Sequence, residues 1–165
     1  MIIVSDTTPL NYLVLIGEID LLEKLFQRVI VPQAVVKEFQ HPNTPPIVQN
    51  WIANAPSWVE IRSATVIDPT INLGAGETEA ISLAIELGAD QLLIDERQAR
   101  KLALARGFAV TGTLNILAFA ANQELVDLPT AIARLQHTTF RAPAALVQIL
   151  LDQDMLRKQA KQSGS

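Results

Sequence analysis

Residues 2–9 read Ile2-Ile3-Val4-Ser5-Asp6-Thr7-Thr8-Pro9, and this stretch decides the fold. Ile2 to Ser5 is short, rich in β-branched side chains and without polar alternation, the composition of a strand covered on both faces. It ends at Asp6. Thr7 and Thr8 then offer capping hydroxyls, and Pro9 suits a first helical turn. Leu10, Leu13 and Ile16 continue at helical spacing until Gly17 stops the segment. The same order of strand, acid and helix returns at Leu92-Leu93-Ile94-Asp95, followed by a helical pattern from Glu96 to Arg106.

Other units fill the space between and after these two. A helix fits Ile19 to Phe26, a strand Val29 to Val31, and a helix Gln33 to Gln40 with Val35, Val36 and Phe39 on its apolar side. The proline-rich stretch His41 to Pro46 is a loop, Ile47 to Ala53 a short helix, and Trp58 to Ile61 a short strand. Ser63 to Leu73 is the least regular internal segment. Gly74-Ala75-Gly76 opens a helix from Glu77 to Leu87, closed by Gly88. Phe108 to Val110 is a further strand, and Gly112-Thr113 leads into a helix from Leu114 to Ala121.

Alternating helices and uninterrupted apolar strands predict an α/β fold, a three-layer α/β/α sandwich around a central, mostly parallel sheet. The alternation stops after Leu125. Residues 1–125 therefore read as the sheet domain. Residues 126–165 read as a helical extension packed on it, with segments near Thr130 to Leu135 and Ala144 to Lys158 and a frayed end from Lys161. On the last helix Leu146, Ile149 and Leu150 share one side; such a stripe packs inward or, left exposed, suits a homodimer or a partner helix.

Composition narrows the chemistry. The 165 residues contain no cysteine, which excludes a disulfide framework, thiol catalysis and thiolate metal sites. Two histidines, His41 and His137, are too few for a multi-His metal centre. With 49% hydrophobic and 18% charged residues the chain is not disordered, and a net charge of −4 rules out a globally basic nucleic-acid coat. No apolar run approaches the roughly 20 residues of a spanning helix. A soluble, cytoplasmic protein with no membrane partner is expected.

In open α/β sheets, sites form beyond the carboxyl ends of the strands, where strand order switches. Asp6 and Asp95 each follow a strand directly and project from that edge; neighbouring strands would bring them together. Glu77 stands at a helix start, where the dipole favours a carboxylate, and doubles as an ordinary N-terminal charge. Glu38 lies late in its helix, against the dipole, a conflict of the kind tolerated at working sites. Four carboxylates on one edge repel, and either hold protons or bind a cation. With oxygen donors and no sulfur or imidazole, that cation is Mg2+ or Mn2+. Thr7, Thr8 and Thr113 are placed to hold a water or phosphate oxygen, or to cap helices. Arg97, Arg100 and Lys101 form the basic cluster beside Asp95, with Arg106 further along, and serve either phosphate contact or a solvated face. Aromatic residues make up 5% of the chain, so base stacking cannot dominate recognition.

Val4-Ser5-Asp6-Thr7-Thr8-Pro9-Leu10, Val31-Pro32 with Val36-Lys37-Glu38, Gly76-Glu77-Thr78-Glu79-Ala80-Ile81, and Leu93-Ile94-Asp95-Glu96-Arg97-Gln98-Ala99-Arg100 occur in order, followed by Gly112-Thr113 with Ile116-Leu117. Together they resemble a PIN domain, of the branch related to toxin nucleases, over roughly Ile2 to Leu125. The resemblance implies a small Mg2+- or Mn2+-dependent ribonuclease cutting single-stranded RNA with metal-activated water. Asp6, Glu38, Glu77 and Asp95 then fall on the acidic, metal-binding positions, with Thr113 assisting. Many toxin members carry aspartate where Glu77 stands. The resemblance also implies a cognate antitoxin. Glu79 and Glu96 are nearby carboxylates, and Glu79, two residues along the helix, points away from Glu77.

Two other readings compete. A phosphatase using Asp6 as nucleophile needs a second aspartate two residues on, where Thr8 stands, and a lysine near a later strand that is not evident. A binding module with a silent site conflicts with the intact acidic set.

Overall fold

Five short strands, all paired in parallel, form one sheet: β1 Ile3–Ser5, β2 Val29–Pro32, β3 Val59–Arg62, β4 Gln91–Leu93 and β5 Ala109–Thr111. The structure is a computed structural model describing residues 1–164. Six helices accompany the sheet, α1 Thr7–Leu15, α2 Leu21–Phe26, α3 Gln33–Phe39, α4 Pro46–Ala53, α5 Ala75–Leu87 and α6 Arg97–Ala105. Then come α7 Thr113–Asn122, α8 Leu128–Gln136 and α9 Ala144–Ser163. The chain clusters into two compact units, the first Met1–Thr113 and the second beginning at Leu114. The expected α/β/α architecture with a parallel sheet is the one observed.

The strand order is β3-β2-β1-β4-β5. Val4 is in register with Ile30 on one side and Leu92 on the other, and Ser5 with Leu93. The chain winds outward from β1 to β3, then returns to the far side of β1 to lay down β4 and β5. The switch point therefore falls between β1 and β4, whose carboxyl ends lead to Asp6 and Asp95.

Strand composition sets the layers. Val4, Ile30 and Leu92 face α5 and α6, meeting Ile81, Ala84, Ala99 and Ala103 in one buried cluster. Ile3 and Leu93, one step along each strand, point to the opposite face and are buried as completely. Each such aliphatic side chain contributes roughly 1.5–3 kcal/mol by burial, so the sheet core, not the acidic edge, supplies stability. The irregular segment after β3 is tied down: Thr65 N–H donates to Glu86, Asp68 N–H to Ser82 Oγ (3.1 Å), and Arg106 Nη1 to Asp68 (2.8 Å). Thr70 and Arg106 together hold the Asp68 carboxyl down at about 2. Arg106 is thus turned to this loop.

In the second unit, α8 buries Leu128, Ala131, Ile132 and Leu135, and Asp127 caps it by accepting from Thr130. On α9, Val147, Leu150 and Asp154 are buried, whereas Ile149, Met155 and Leu156 are exposed. Arg157 pairs with Asp154 (2.8 Å), Lys158 with Asp154 and Asp127, and Lys161 with Glu124. Where the sequence suggested fraying, α9 continues to Ser163; Ser165 lies outside the described residues. No helix among the described residues is long and apolar enough to cross a membrane.

Candidate active site

Asp6 sits at the junction of β1 and α1, where its N–H donates to the Leu93 carbonyl (2.9 Å) and continues the β1–β4 ladder by one residue. Its side chain is 2% exposed, and its Oδ1 is buried with no hydrogen-bond partner. Burial is the main cause that pushes the carboxyl up to about 7; a hydrogen bond from the Thr7 backbone opposes the rise, and the charges of Glu77 and Glu38 add to it. An orphaned oxygen on a buried, proton-hungry carboxylate is a costly arrangement for fold stability alone.

Glu38 reaches the same place from α3. Its Oε2 accepts from Thr7 Oγ1 (2.7 Å) and its Oε1 from Gly76 N–H (2.9 Å) in the first turn of α5. Gly76 allows this approach. A Cβ there would lie 2.6 Å from Glu38 Oε1, 3.0 Å from Thr7 Oγ1 and 3.1 Å from Asp6 Oδ1. The oxygens of two carboxylates and a hydroxyl therefore surround a small space that any other side chain would fill. Thr7, which a sequence reading offers as a cap, is instead a clamp for Glu38.

Glu77 follows on α5 as its third residue and turns one oxygen back to the Gly74 N–H (2.9 Å), a reciprocal of helix capping. Burial is the largest cause raising its pKa, against the Gly74 bond, with Glu96 and Glu38 contributing like-charge repulsion. Its surroundings hold both the start of α5 and the charges of Glu38 and Glu96.

Asp95 is held differently. Its Oδ1 accepts from Thr113 N–H (2.8 Å) and its Oδ2 from Thr113 Oγ1 (2.5 Å), so it caps the start of α7. Gly112 makes room, since a Cβ there would lie 2.8 Å from Asp95 Oδ1 and 3.7 Å from Arg100 Nη1. Burial raises the Asp95 pKa; Thr113 and the Arg100 charge partly offset it. Thr113→Val keeps the N–H and the shape but removes the hydroxyl donor. It should cost about 1.5–3 kcal/mol at pH 7 by urea unfolding, the worth of a hydrogen bond to a charged acceptor. An unchanged midpoint would mean that this bond does not form in solution.

Asp6, Glu38 and Glu77 thus act on one another electrostatically, and Asp95 stands with Thr113 and Arg100 toward β5. Of the basic residues marked in the sequence, Arg100 is half-buried beside Asp95, and Arg97 and Lys101 are exposed on the same helix. Glu96 caps α6 by accepting from Ala99 N–H (2.7 Å). Glu79 points away from this group, and sequence reasoning gave it no role.

Among the described residues, no three His, Cys, Asp or Glu stand together as a ready-made ligand group. The donor set nevertheless fits a hard cation. Mg2+ keeps several waters and needs only one or two protein carboxylates. Asp6 supplies an oxygen without a partner, and Glu38 a second at the same small space beside Gly76.

No curated protein matches this chain. Residues 2–155 match the family model described as PIN domain. Matched over nearly its whole length and built on a parallel five-stranded sheet, the chain belongs to the PIN-domain family.

Proposed function

We propose that this chain is a Mg2+- or Mn2+-dependent endoribonuclease that hydrolyses single-stranded RNA at the carboxyl edge of its sheet. PIN domains are generally nucleases and typically use divalent metal ions, which supports the class of reaction. The observation that carries the reading is the unpartnered, buried Oδ1 of Asp6 beside Glu38 and Glu77.

Asp6 and Glu38 would hold the cation, and Glu77 would complete the acidic side directly or through water. When bound, the cation neutralises phosphate charge and lowers the pKa of the attacking water. Asp95, locked by Thr113, orients groups on the other side of the switch point. Arg100 is the phosphate contact nearest this edge, and Arg97 and Lys101 extend it along α6. The N-termini of α1, α6 and α7 all follow strands at this edge and favour a phosphate there.

Cytoplasmic RNA as target and a toxin role restrained by a cognate antitoxin belong to the same proposal. The exposed Ile149, Met155 and Leu156 of α9 leave apolar surface for such a protein or for a second copy. The test is cleavage of a mixed single-stranded RNA pool by purified protein with Mg2+, with Mn2+ and with EDTA. Cutting in either metal that EDTA stops is the expected result. Failure in all three conditions would favour the silent binding module.

A further inference from the structure

Glu79 is an acid that the reaction does not use, yet it is only 9% exposed, too buried for water to solvate its charge. Its charge is met by two backbone amides instead. Oε1 accepts from Ala34 N–H (2.9 Å) and Oε2 from Ala64 N–H (3.4 Å). Ala34 lies in the first turn of α3, where N–H groups lack intrahelical partners and where the preceding residue, Pro32, makes no side-chain cap. Ala64 lies just past the end of β3. One side chain of α5 therefore reaches two segments at the carboxyl edge of the sheet.

This link has a counterpart. Near the other end of α3, Glu38 accepts from Gly76 N–H, also on α5 (2.9 Å). Helix α3 is thus fastened to α5 at both ends, by Glu79 at Ala34 and by Gly76 at Glu38. A seven-residue helix held at one point can pivot; held at two it cannot.

We propose that Glu79 is a positioning residue: by capping α3 and holding the segment after β3, it sets the Glu38 carboxylate against Gly76 and Thr7. Its consequence for metal binding rests on the nuclease reading above; its effect on Glu38 does not.

The test uses Glu79→Gln, which keeps the shape but turns an amino group toward an amide N–H, and Glu79→Asp, which keeps the charge but is too short to reach both amides. Amide hydrogen exchange at Ala34, Ala64 and Gly76 is followed in the metal-free protein, Mn2+ affinity is measured by calorimetry without RNA, and cleavage is measured across Mn2+ concentrations. In folded Glu79→Gln, all three amides should exchange about tenfold faster. Mn2+ should bind roughly 10–100-fold more weakly, as when an outer partner of a ligand is lost. Cleavage lost at low Mn2+ should return at saturating Mn2+, a rescue that general destabilisation does not give. Faster exchange at Ala34 and Ala64 with Gly76 and Mn2+ affinity unchanged would overturn the proposal, leaving Glu79 a fastening of the fold. Should Glu79→Gln not fold, Glu79→Asp is judged by the same readouts. If the parent protein neither binds Mn2+ nor cuts RNA, the nuclease reading falls, and Gly76 exchange alone decides whether Glu79 positions Glu38.

Discussion

Asp6→Asn should reduce metal-dependent RNA cleavage by about a thousandfold while the protein stays folded. The variant loses the anionic oxygen at the most buried point of the acidic edge, and a cation's hold on phosphate and water contributes several kcal/mol. The fold should persist because the stabilising burial lies in the apolar cluster of Val4, Leu92 and Ile81, which the substitution leaves unchanged. The check is single-turnover cleavage of parent and variant from parallel purifications, with circular dichroism confirming the fold. Equal rates would remove Asp6 from the site.

The second large effect is on stability against pH, measured in EDTA. Burial raises the Asp6 carboxyl from 3.8 to about 7 in the folded protein. Between those values the folded state holds a proton that the unfolded chain has released. The stabilisation from that proton is complete below about pH 4 and is lost as pH climbs through 7. A shift of this size corresponds to roughly 4 kcal/mol at most. Asp6→Asn cannot ionise, so its stability advantage over the parent should grow from nearly nothing at pH 4 to a few kcal/mol at pH 8. The raised pKa of Asp95, set by burial, Thr113 and Arg100, acts alike in both proteins and cancels in the comparison, whereas Glu77, coupled to Asp6, adds to the pH-dependent gap. Denaturant melts at half-unit pH steps give the difference directly. A gap independent of pH would mean that the carboxyl is not buried in solution. Mg2+ should restore more stability to the parent at pH 8 than at pH 5, because a cation binds the ionised form.

Much of this was legible in the chain because local chemistry and tertiary placement agree. Ile3-Val4-Ser5 and Leu92-Leu93 are apolar on both faces, which only a covered parallel sheet explains. Their trailing acids then fall on the edge where the strand order switches. Gly76 beside Glu77 and Gly112 beside Thr113 also stand out as written, and both prove to be points of close approach to carboxylates.

Side-chain direction was not legible. Adjacent strands place Asp6 and Asp95 on neighbouring ends, but Asp95 turns to Thr113, a choice made by the free amide at the start of α7. Arg106 continues the spacing of Arg97 and Arg100, yet Asp68 draws it to a loop whose position no periodicity reveals. Glu79 reads as a spare acid because its partners are backbone amides, Ala34 and Ala64, which carry no signature in the sequence.

The position of β1 has a consequence in time. Its two neighbours, β2 and β4, come from opposite halves of the first unit, so β1 acquires its second partner only after most of that unit exists. Such long-range pairing closes slowly and late. On the ribosome, Asp6 and Glu38 emerge well before Gly76, and Asp95 before the Thr113 that locks it. A chain built this way completes its acidic edge only once Thr113 has been made, near the end of the first unit.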